Sequence, residues 1–491
     1  MLRATPILLC VIFSPLSSLA QAAVEWVQPT EGVSVAVDNA DNVYTLNYAY
    51  ALGAEMTLTK RGPDGALLWE ARYDQTNPTQ WERASWVSVD HHGNAIVTGT
   101  LMSGYSNPVE AASIVMKFNP EGKLRWRRVY EAAFDGSSTK KSLVDAGNNI
   151  YVLGLGNGPD GLVTQVKKFS PLGKALWSYF DQGGIGRPVN FKLTPDRALV
   201  ISGRGVTGTI NGYAKIGLDG KKIWSYAMGG SLSAGDASGD AHGNSYLVNS
   251  QISGGTELTK LDALGNVAWS YNYPMSGFRV EVGSDNQPVI SGFPKSGTAG
   301  AAFMKVSRAG KLLWSNLNAD GPLTSLLHAQ MLIDRSNAAY LAAGTLFEMV
   351  VCKVHGDGTD GGTQTLPGGY ARAMALGRND DSLFVVGGTT ARLSNPPSAP
   401  SRLKGKGALE GAAAVVDLTW SSMAVNATGY VLERCSGKTC TEFVALATLP
   451  ADARTYADWA VERAKGYRYR IAATGAGGNS PYSNIARALT P

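Results

Sequence analysis

The 491-residue chain has few charged residues: Asp, Glu, Lys and Arg make up 17% of it, and only five residues are His. Helix surfaces need charged side chains, and the 58 Gly destabilise helices, so the composition excludes a coiled coil or helical bundle. A hydrophobic share of 44% excludes a disordered chain. The composition therefore predicts a turn-rich, mainly β protein, long enough for more than one domain.

The sequence also lacks a concentrated run of basic residues. The net charge is +5, and it is spread along the chain, whereas proteins that bind nucleic acid usually carry a basic stripe. No segment after the N-terminal region is apolar and long enough to span a bilayer. We therefore expect neither a nucleic-acid partner nor a transmembrane segment.

The N-terminal residues have the order of a secretory signal peptide. Arg3 precedes the apolar run P-I-L-L-C-V-I-F, and Ala20-Gln21-Ala22 stands before Ala23. A membrane anchor is the alternative, but the apolar run is too short to cross a bilayer. Residues 1–22 are predicted to be removed, and the mature protein is expected to be exported, either periplasmic or extracellular.

Cysteine is scarce, with four residues in the whole chain. After Cys10 is removed, Cys435 and Cys440 bracket the turn-like S-G-K-T between two strand-like runs. An oxidising compartment favours a disulfide between them, with two unpaired thiols as the alternative. Cys352 lies in M-V-V-C-K-V and is interpreted as a buried strand cysteine, because no His partner for a nucleophile is identifiable.

Two patterns recur between residues 24 and 394. The first is K-x-x-x-x-G-x-x-x-W, which occurs six times, degrades after Lys353 and leaves a trace around Arg392. Its tryptophans, together with Trp26 near the N-terminus, are predicted to pack between repeats: Trp26, Trp69, Trp126, Trp177, Trp224, Trp269 and Trp314.

The second pattern is an alternating apolar run, an Asp-rich turn and another apolar run. Eight copies have their Asp, or the equivalent residue, near positions 38, 90, 145, 196, 240, 285, 334 and 380. Alternation with β-branched residues predicts strands, and D-x-x-G-N supplies the turn between them. About four short strands in each repeat are typical of a propeller blade.

Eight copies predict an eight-bladed β-propeller over residues 23–394, with seven blades as the alternative. Trp26 precedes the first Asp pattern and has no Lys pattern before it. We therefore expect its strand to complete the blade that ends near Arg392.

These repeats resemble the secreted bacterial β-propeller repeat family with the form D-x-x-G-N-x-Y-x-x-G … K-x-x-x-x-G-x-x-x-W, and the wider quinoprotein-dehydrogenase-like propellers. The resemblance covers about three quarters of the chain and implies the propeller fold, which hosts many activities. The large quinone-dependent alcohol dehydrogenases of this group carry adjacent cysteines over the cofactor. No two cysteines are adjacent here, so the shared residues are structural and no cofactor is assigned.

Residues 395–400, N-P-P-S-A-P, are predicted to be a linker, after which the repeat stops. Residues 401–491 contain L-T-W, G-Y-V-L-E-R and Y-R-Y-R-I-A-A among short strand-like runs, and they resemble a fibronectin type III domain. The resemblance implies that Trp420 is the buried tryptophan of this β-sandwich. It also implies that the hydroxyl of Tyr467 returns to the backbone, and that the domain acts as a spacer or adhesive unit.

Candidate chemistry is sparse, and we assign no catalytic, cofactor-binding or metal-binding residue. Each candidate has a plainer interpretation that we favour. Asp357 and Asp360 in a Gly-rich segment could ligate calcium but fit a degenerate turn, and His91-His92 fills a turn position. The repeated acidic residues Asp38, Asp90, Asp145 and Asp334 start turns. Aromatic residues outside the repeat positions could contact a ligand, but packing is favoured: Trp81, Trp86, Tyr105, Tyr179 and Tyr271.

The sequence favours an exported, non-catalytic binding or scaffold protein whose propeller engages a protein or a glycan. The alternative is a polysaccharide-acting enzyme, either a hydrolase or a lyase. A quinone- or metal-dependent oxidoreductase is a remote third possibility. Two carboxylates with loop aromatics at one mouth of the ring would favour the enzyme.

Overall fold

A computed structural model describes residues 23–48, 56–73, 80–103, 109–131, 139–158, 161–181, 184–205, 210–230, 235–251, 254–294, 300–319, 325–422, 424, 426–475 and 477–491. These residues form strands and turns and contain no helix, which confirms the predicted all-β class. The signal-peptide prediction for residues 1–22 lies outside the described residues.

Eight four-stranded antiparallel sheets account for the described strands between residues 23 and 394. Sheets 1 to 4 comprise β2 (Ser34–Val37), β3 (Val43–Tyr48), β4 (Met56–Arg61) and β5 (Leu67–Tyr73); β6 (Gln80–Val89), β7 (Ala95–Ser103), β8 (Val109–Phe118) and β9 (Leu124–Glu131); β10 (Lys141–Val144), β11 (Ile150–Gly158), β12 (Gly161–Phe169) and β13 (Ala175–Phe180); and β14 (Arg187–Leu193), β15 (Ala198–Arg204), β16 (Asn211–Gly217) and β17 (Lys222–Met228).

Sheets 5 to 8 comprise β18 (Asp236–Gly239), β19 (Ser245–Ser250), β20 (Thr256–Leu261) and β21 (Val267–Tyr273); β22 (Met275–Val282), β23 (Pro288–Pro294), β24 (Ala301–Val306) and β25 (Leu312–Ala319); β26 (Ser325–Ile333), β27 (Ala339–Gly344), β28 (Glu348–Val354) and β29 (Asp360–Pro367); and β30 (Ala373–Leu376), β31 (Leu383–Val386), β32 (Thr390–Ser394) and β1 (Ala23–Gln28).

The first strand of each sheet contacts the first strand of the next. These inner strands, as we call β2, β6, β10, β14, β18, β22, β26 and β30, follow one another in that order, and β30 in turn contacts β2. The arrangement is consistent with a β-propeller, in which neighbouring sheets cover each other's faces.

Of the eight sheets described between residues 23 and 394, sheet 8 is the one whose strands are not consecutive along the chain. The N-terminal strand β1 pairs antiparallel with β32, and Trp26 lies opposite Arg392. In sheet 1 the same register places Trp69 opposite Lys60. The predicted pairing of the N-terminal strand with the strand near Arg392 is therefore confirmed.

Apolar side chains from adjacent sheets form the core. Tyr44 and Leu58 of sheet 1, for example, are fully or almost fully buried in one cluster with Val87, Ile114 and Met116 of sheet 2. Because side chains alternate across a strand, each sheet presents apolar residues to both of its neighbours. Burial on both faces explains the near-continuous apolar runs of the second and third strands.

The C-terminal strands form two further sheets. One has the order β33 (Ser401–Glu410), β34 (Ala413–Ser421) and β37 (Thr455–Asp458). The other has the order β36 (Val444–Pro450), β35 (Gly429–Ser436), β38 (Gly466–Gly475) and β39 (Gly478–Asn479), with β40 (Ala486–Leu489) also paired to β38. Trp420, Leu432 and Ile471 are buried in a core shared by both sheets.

Two features of these C-terminal sheets were predicted from single residues. Cys435 and Cys440 are linked by a disulfide, which confirms that prediction. The hydroxyl of Tyr467 accepts the backbone N–H of Glu462 at 2.8 Å, and Trp420 packs edge-on against Tyr430.

Candidate functional site

The hairpin between the third and fourth strands explains the spacing of the Lys/Gly/Trp repeat. In sheet 2, Lys117 lies opposite Trp126, and the strands are joined by a tight turn with a register shift after the lysine. Gly122 occupies the left-handed turn position, with φ of +81°. A lysine and a tryptophan nine residues apart therefore become cross-strand neighbours, and the glycine makes the turn possible.

The tryptophan of one sheet bonds to the turn of the next. Trp69 of sheet 1 donates its indole N–H to the carbonyl of Pro120 in the turn of sheet 2, and Lys60 Nζ approaches the same carbonyl at 3.3 Å. A Cβ on Gly122 would lie 2.8 Å from the indole of Trp69, so the glycine also permits close contact. We call this unit of lysine, tryptophan and turn the intersheet clasp.

The clasp recurs from sheet to sheet. Indole N–H groups donate at 2.8–3.2 Å in six pairs, which are Trp26 to Pro63, Trp69 to Pro120, Trp126 to Pro171, Trp177 to Leu218, Trp269 to Arg308 and Trp314 to Gly356. In the exception, Trp224 is buried against Gly265 but its N–H has no partner. All seven predicted repeat tryptophans thus occupy equivalent positions.

Sheet 7 has no tryptophan at the repeat position, and sheet 8 has no turn between its third and fourth strands that such a tryptophan could contact. Trp314 of sheet 6 still bonds to the turn of sheet 7 at Gly356. In sheet 8, however, the third and fourth strands are β32 and β1, and the chain leaves β32 toward Asn395 instead of turning. A tryptophan in sheet 7 would have no turn to bond to, and Gly361 and Gly362 line a small space beside Asn395.

The repeated aspartates stabilise the turn between the first two strands. Asp90 Oδ1 accepts the backbone N–H groups of His92 and Asn94, both at 2.9 Å, and the Asn94 amide bonds the same carboxylate. Lys117 Nζ lies 2.8 Å from Asp90 Oδ2. Burial would raise the pKa of Asp90, but hydrogen bonds from Lys117 and Asn94 hold it below its ordinary value.

This lysine–aspartate pairing joins the two sequence patterns within each sheet. It is present in four sheets at 2.7–3.5 Å: Lys60 with Asp38, Lys117 with Asp90, Lys215 with Asp196, and Lys305 with Asp285. The repeated aspartates therefore have a structural role in the turns.

The other candidate residues lie in turns, except Asp360, which begins β29. The backbone N–H of His91 donates to Asn148, and that of His92 donates to Asp90. Asp357 and Asp360 accept backbone N–H groups of Thr359 and Gly362. Within the part of the chain that the structure describes, no three His, Cys, Asp or Glu side chains group together as metal ligands would.

The aromatic residues outside the repeat positions have different environments. Tyr179 is buried and its hydroxyl donates to Asp181, while Tyr271 stacks on Trp269. Tyr105 and the side chain of Trp81 lie outside the described residues. Trp86 lies on inner strand β6 and lines a cavity between the inner strands.

Three adjoining cavities follow the inner strands, and we call them together the axial channel. The central cavity has a volume of about 490 Å³ and shares Lys140 and Arg372 with a wider cavity of about 930 Å³. It shares Trp86, Lys141 and Leu332 with a third cavity of about 550 Å³. These volumes are in the range of small-molecule binding sites.

A network of charged side chains lies in the central cavity. Lys192 Nζ is 2.7 Å from Asp236 Oδ2 and 2.9 Å from Glu281 Oε1, so one ammonium bridges two carboxylates. The amide of Asn190 donates to Asp236 and its oxygen accepts from Lys141 at 2.9 Å. Inner strands β10, β14, β18 and β22 each contribute to this network.

The two carboxylates differ in their pKa. Burial would raise the pKa of Asp236, but the charges of Lys192 and Arg279 lower it below its ordinary value. Burial raises the pKa of Glu281, and the neighbouring Asp236 adds to the increase. Asp236 therefore carries the charge of the pair more readily than Glu281.

Lys141 differs from the other cations of the cavity in its partners. Its ammonium lies 5.1 Å from the centre of the Trp86 ring. Burial, and then the positive charge of Lys192, lowers the pKa of Lys141 to about 8. In the described residues no carboxylate forms a salt bridge with Lys141, and its hydrogen-bond acceptor is the neutral Asn190.

The wide end of the channel has both charged and apolar residues. Arg83, Lys140 and Arg372 line it, and Arg372 pairs with Glu31 at 2.9 Å. Leu346 and Phe347 also line this end and are 71% and 80% exposed.

Sequence reasoning missed the charged network because its members occur singly in different repeats. Lys141, Lys192, Asp236, Arg279 and Glu281 all lie on inner strands, at positions where other repeats have uncharged residues such as Ser34, Trp86 and Leu332. The available signal was a charge just before the Asp turn, as in K-S-L-V-D and V-E-V-G-S-D.

No protein-family model and no curated protein matches the chain. A solved Fn3-like protein from Clostridium thermocellum is 26% identical, covering 20% of this chain and 96% of its own, with a TM-score of 0.17. A protein of unknown function from Bacteroides caccae is 16% identical over 49% of this chain and 81% of its own, with a TM-score of 0.30. A eukaryotic initiation factor is 11% identical over 65% of this chain and 87% of its own, with a TM-score of 0.37. These matches do not name a family for the chain.

In the described ranges, no helix has the length and apolar character needed to cross a membrane.

Proposed function

We propose that residues 23–394 form an eight-bladed β-propeller, followed by the linker 395–400 and a fibronectin type III domain at 401–491. The eight four-stranded sheets, the order of the inner strands and the pairing of β1 with β32 support the propeller. The two antiparallel sheets around Trp420 and the Tyr467 hydroxyl bond support the fibronectin type III assignment. The Cys435–Cys440 disulfide is compatible with export to the periplasm or beyond.

We further propose that the protein is a non-catalytic binding or scaffold protein that engages a protein or glycan at the wide end of the axial channel. The supporting observation is the exposed pair Leu346 and Phe347 beside a cavity of about 930 Å³. Loops on a rigid scaffold are suited to binding, and the C-terminal sheets would extend or anchor the ring.

A screen of glycans and secreted proteins with the purified mature chain tests this proposal. In a Leu346→Ser/Phe347→Ser variant, affinity for the ligand should fall at least tenfold, since buried aromatic anchors dominate interfaces. The matched control is Leu172→Ser/Leu264→Ser, because those side chains are 82% and 76% exposed in turns away from the channel. Equal binding by both variants would place the ligand elsewhere.

One observation favours a second candidate, a polysaccharide-acting hydrolase or lyase. Asp236 and Glu281 share Lys192, and their environments move the two pKa values in opposite directions. A pair of carboxyl groups tuned in this way is typical of acid–base catalysis. Polysaccharide cleavage by the wild type that is lost in Glu281→Gln would favour the enzyme, whereas cleavage unchanged by that substitution would exclude this pair.

A further inference from the structure

We propose that the central cavity of the axial channel binds the carboxylate of an acidic saccharide, with Lys141 as its counter-charge. The inference rests on the proposed function and specifies its ligand class. The central cavity is separate from the exposed pair at the wide end, so the two sites can be tested independently.

The balance of charge is the first argument. The network contains three cations, Lys141, Lys192 and Arg279, and two anions, Asp236 and Glu281. Both anions bond to Lys192. A buried charge is stabilised by an opposite charge, and the ammonium of Lys141 has only a neutral amide and an aromatic ring beside it. A bound anion would supply the missing negative charge.

The remaining polar groups of the cavity are mainly donors. Gln330 uses its oxygen to accept the backbone N–H of Met374 at 3.0 Å, and its amide N–H groups have no partner in the described residues. The indole N–H of Trp86 likewise has no protein partner there, and both side chains line the cavity. A ligand rich in acceptors therefore fits this site.

An acidic saccharide combines these requirements in one rigid ring. Its carboxylate would pair with Lys141, its hydroxyl oxygens would accept from Gln330 and Trp86, and its apolar face would pack on the indole. The cavity adjoins the wide end of the channel through Lys140 and Arg372, which offers a route of entry to a saccharide chain of small cross-section.

Calorimetry with a galacturonic acid trisaccharide and with its neutral galactose counterpart tests the inference. Only the acidic sugar should bind at pH 7. Lys141→Gln should lose at least tenfold in affinity, the scale of a hydrogen bond between charged groups, and Lys141→Arg should retain most of it. Lys123→Gln, a change at an exposed turn lysine, is the matched control.

The pH profile gives a second readout. Affinity should fall as the pH rises from 7 to 9.5, because Lys141 loses its proton near pH 8, and Lys141→Gln should lack this change. The charged groups that face Lys141 are Lys192 on β14, Asp236 on β18 and Arg279 and Glu281 on β22, with Lys140 and Arg372 lining the same cavity. Near-ultraviolet circular dichroism confirms that the variants are folded.

Several results would overturn the inference. These are equal binding of the neutral trisaccharide, unchanged affinity in Lys141→Gln, and binding of an acidic Asp/Glu peptide but not of the sugar. Failure of every acidic saccharide while the screen identifies a ligand that needs Leu346 and Phe347 would refute the inference and leave the proposed function standing. If no glycan and no protein in the screen binds the purified chain, the proposed function itself is refuted.

Discussion

Replacement of Gly122 by Ala tests whether the intersheet clasp stabilises the sheets. Gly122 has a φ of +81°, which costs an L-residue about 1–2 kcal/mol. The new Cβ would also lie 2.8 Å from Cδ2 and 2.9 Å from Cε3 of the Trp69 indole. Forcing atoms into a packed contact costs about 1–3 kcal/mol more. The free energy of unfolding should therefore fall by about 2–5 kcal/mol.

Gly93 supplies a matched control in the same sheet. Its φ is +75°, but the nearest atom to an added Cβ is Pro120 Cγ at 3.7 Å, an ordinary contact. Gly93→Ala should therefore lower the free energy of unfolding only by the cost of the positive φ, about 1–2 kcal/mol. In a Trp69→Ala background the ring is absent, so Gly122→Ala should then have the same small effect as Gly93→Ala. The difference between backgrounds measures the coupling of the two residues.

Urea unfolding followed by circular dichroism measures these differences as shifts of the midpoint at constant slope. Equal destabilisation by Gly122→Ala and Gly93→Ala would refute the clasp as a stabilising contact. So would an unchanged effect of Gly122→Ala in the Trp69→Ala background.

Three further predictions concern single contacts. Asp90→Asn should destabilise the folded protein by about 3 kcal/mol, because a buried cation loses its partner. The pKa of Asp90 is lowered on folding, so its contribution is present above pH 3.8 and decreases as the pH falls below that value. The urea midpoints of Asp90→Asn and the wild type should therefore differ less at pH 3 than at pH 7. Tyr467→Phe should lower stability by about 1–3 kcal/mol in thermal unfolding, since the Glu462 N–H loses its acceptor, and an unchanged melting temperature would contradict that role. Replacing Cys435 and Cys440 with Ser should cost about 2 kcal/mol, because the cysteines are separated by 5 positions and close a short loop, and reductant should have the same effect on the wild type.

The regular part of the fold was predictable because each repeat uses the same local chemistry. Lys117, Gly122 and Trp126 lie on a single hairpin, so their spacing is visible in the sequence. The pairing of β1 with β32 was predictable too, since Trp26 had no lysine before it and Arg392 had no tryptophan after it. Such patterns can be recognised because the interacting residues are close along the chain or repeat at a fixed period.

The missing tryptophan of sheet 7 could be located in the sequence but not explained from it. Its explanation is that no turn joins β32 to β1. This follows from the composition of sheet 8, whose fourth strand is the N-terminal strand β1 and does not follow β32 in sequence. The sequence shows only that K-V-H-G-D-G-T-D-G-G departs from the pattern. The segment with Asp357 and Asp360 then resembles a calcium loop, although its Gly361 and Gly362 line a small space beside Asn395 where no tryptophan packs.

The candidate site was largely invisible in the sequence for a different reason. Its charged residues come from four sheets: Lys141, Lys192, Asp236 and Glu281. Residues that form direct contacts there are separated by as many as 89 positions in the sequence, as Lys192 and Glu281 are. No spacing rule links one charge on each of several inner strands. Trp86 was noticed as an aromatic residue outside the repeat, but its place beside Lys141 depends on the contact between β6 and β10.

The separation of clasp and channel explains how the repeated sheets accommodate these charges. The clasps use the third and fourth strands of each sheet, and the inner strands contribute no residue to them. Stability is therefore supplied mainly away from the axis, and an inner strand can exchange an apolar residue for a charge without removing a clasp. The charges lie together in the axial channel because every sheet presents its first strand there. Residues that hold neighbouring sheets together and residues that line the channel therefore occupy different strands, which agrees with the binding function proposed above.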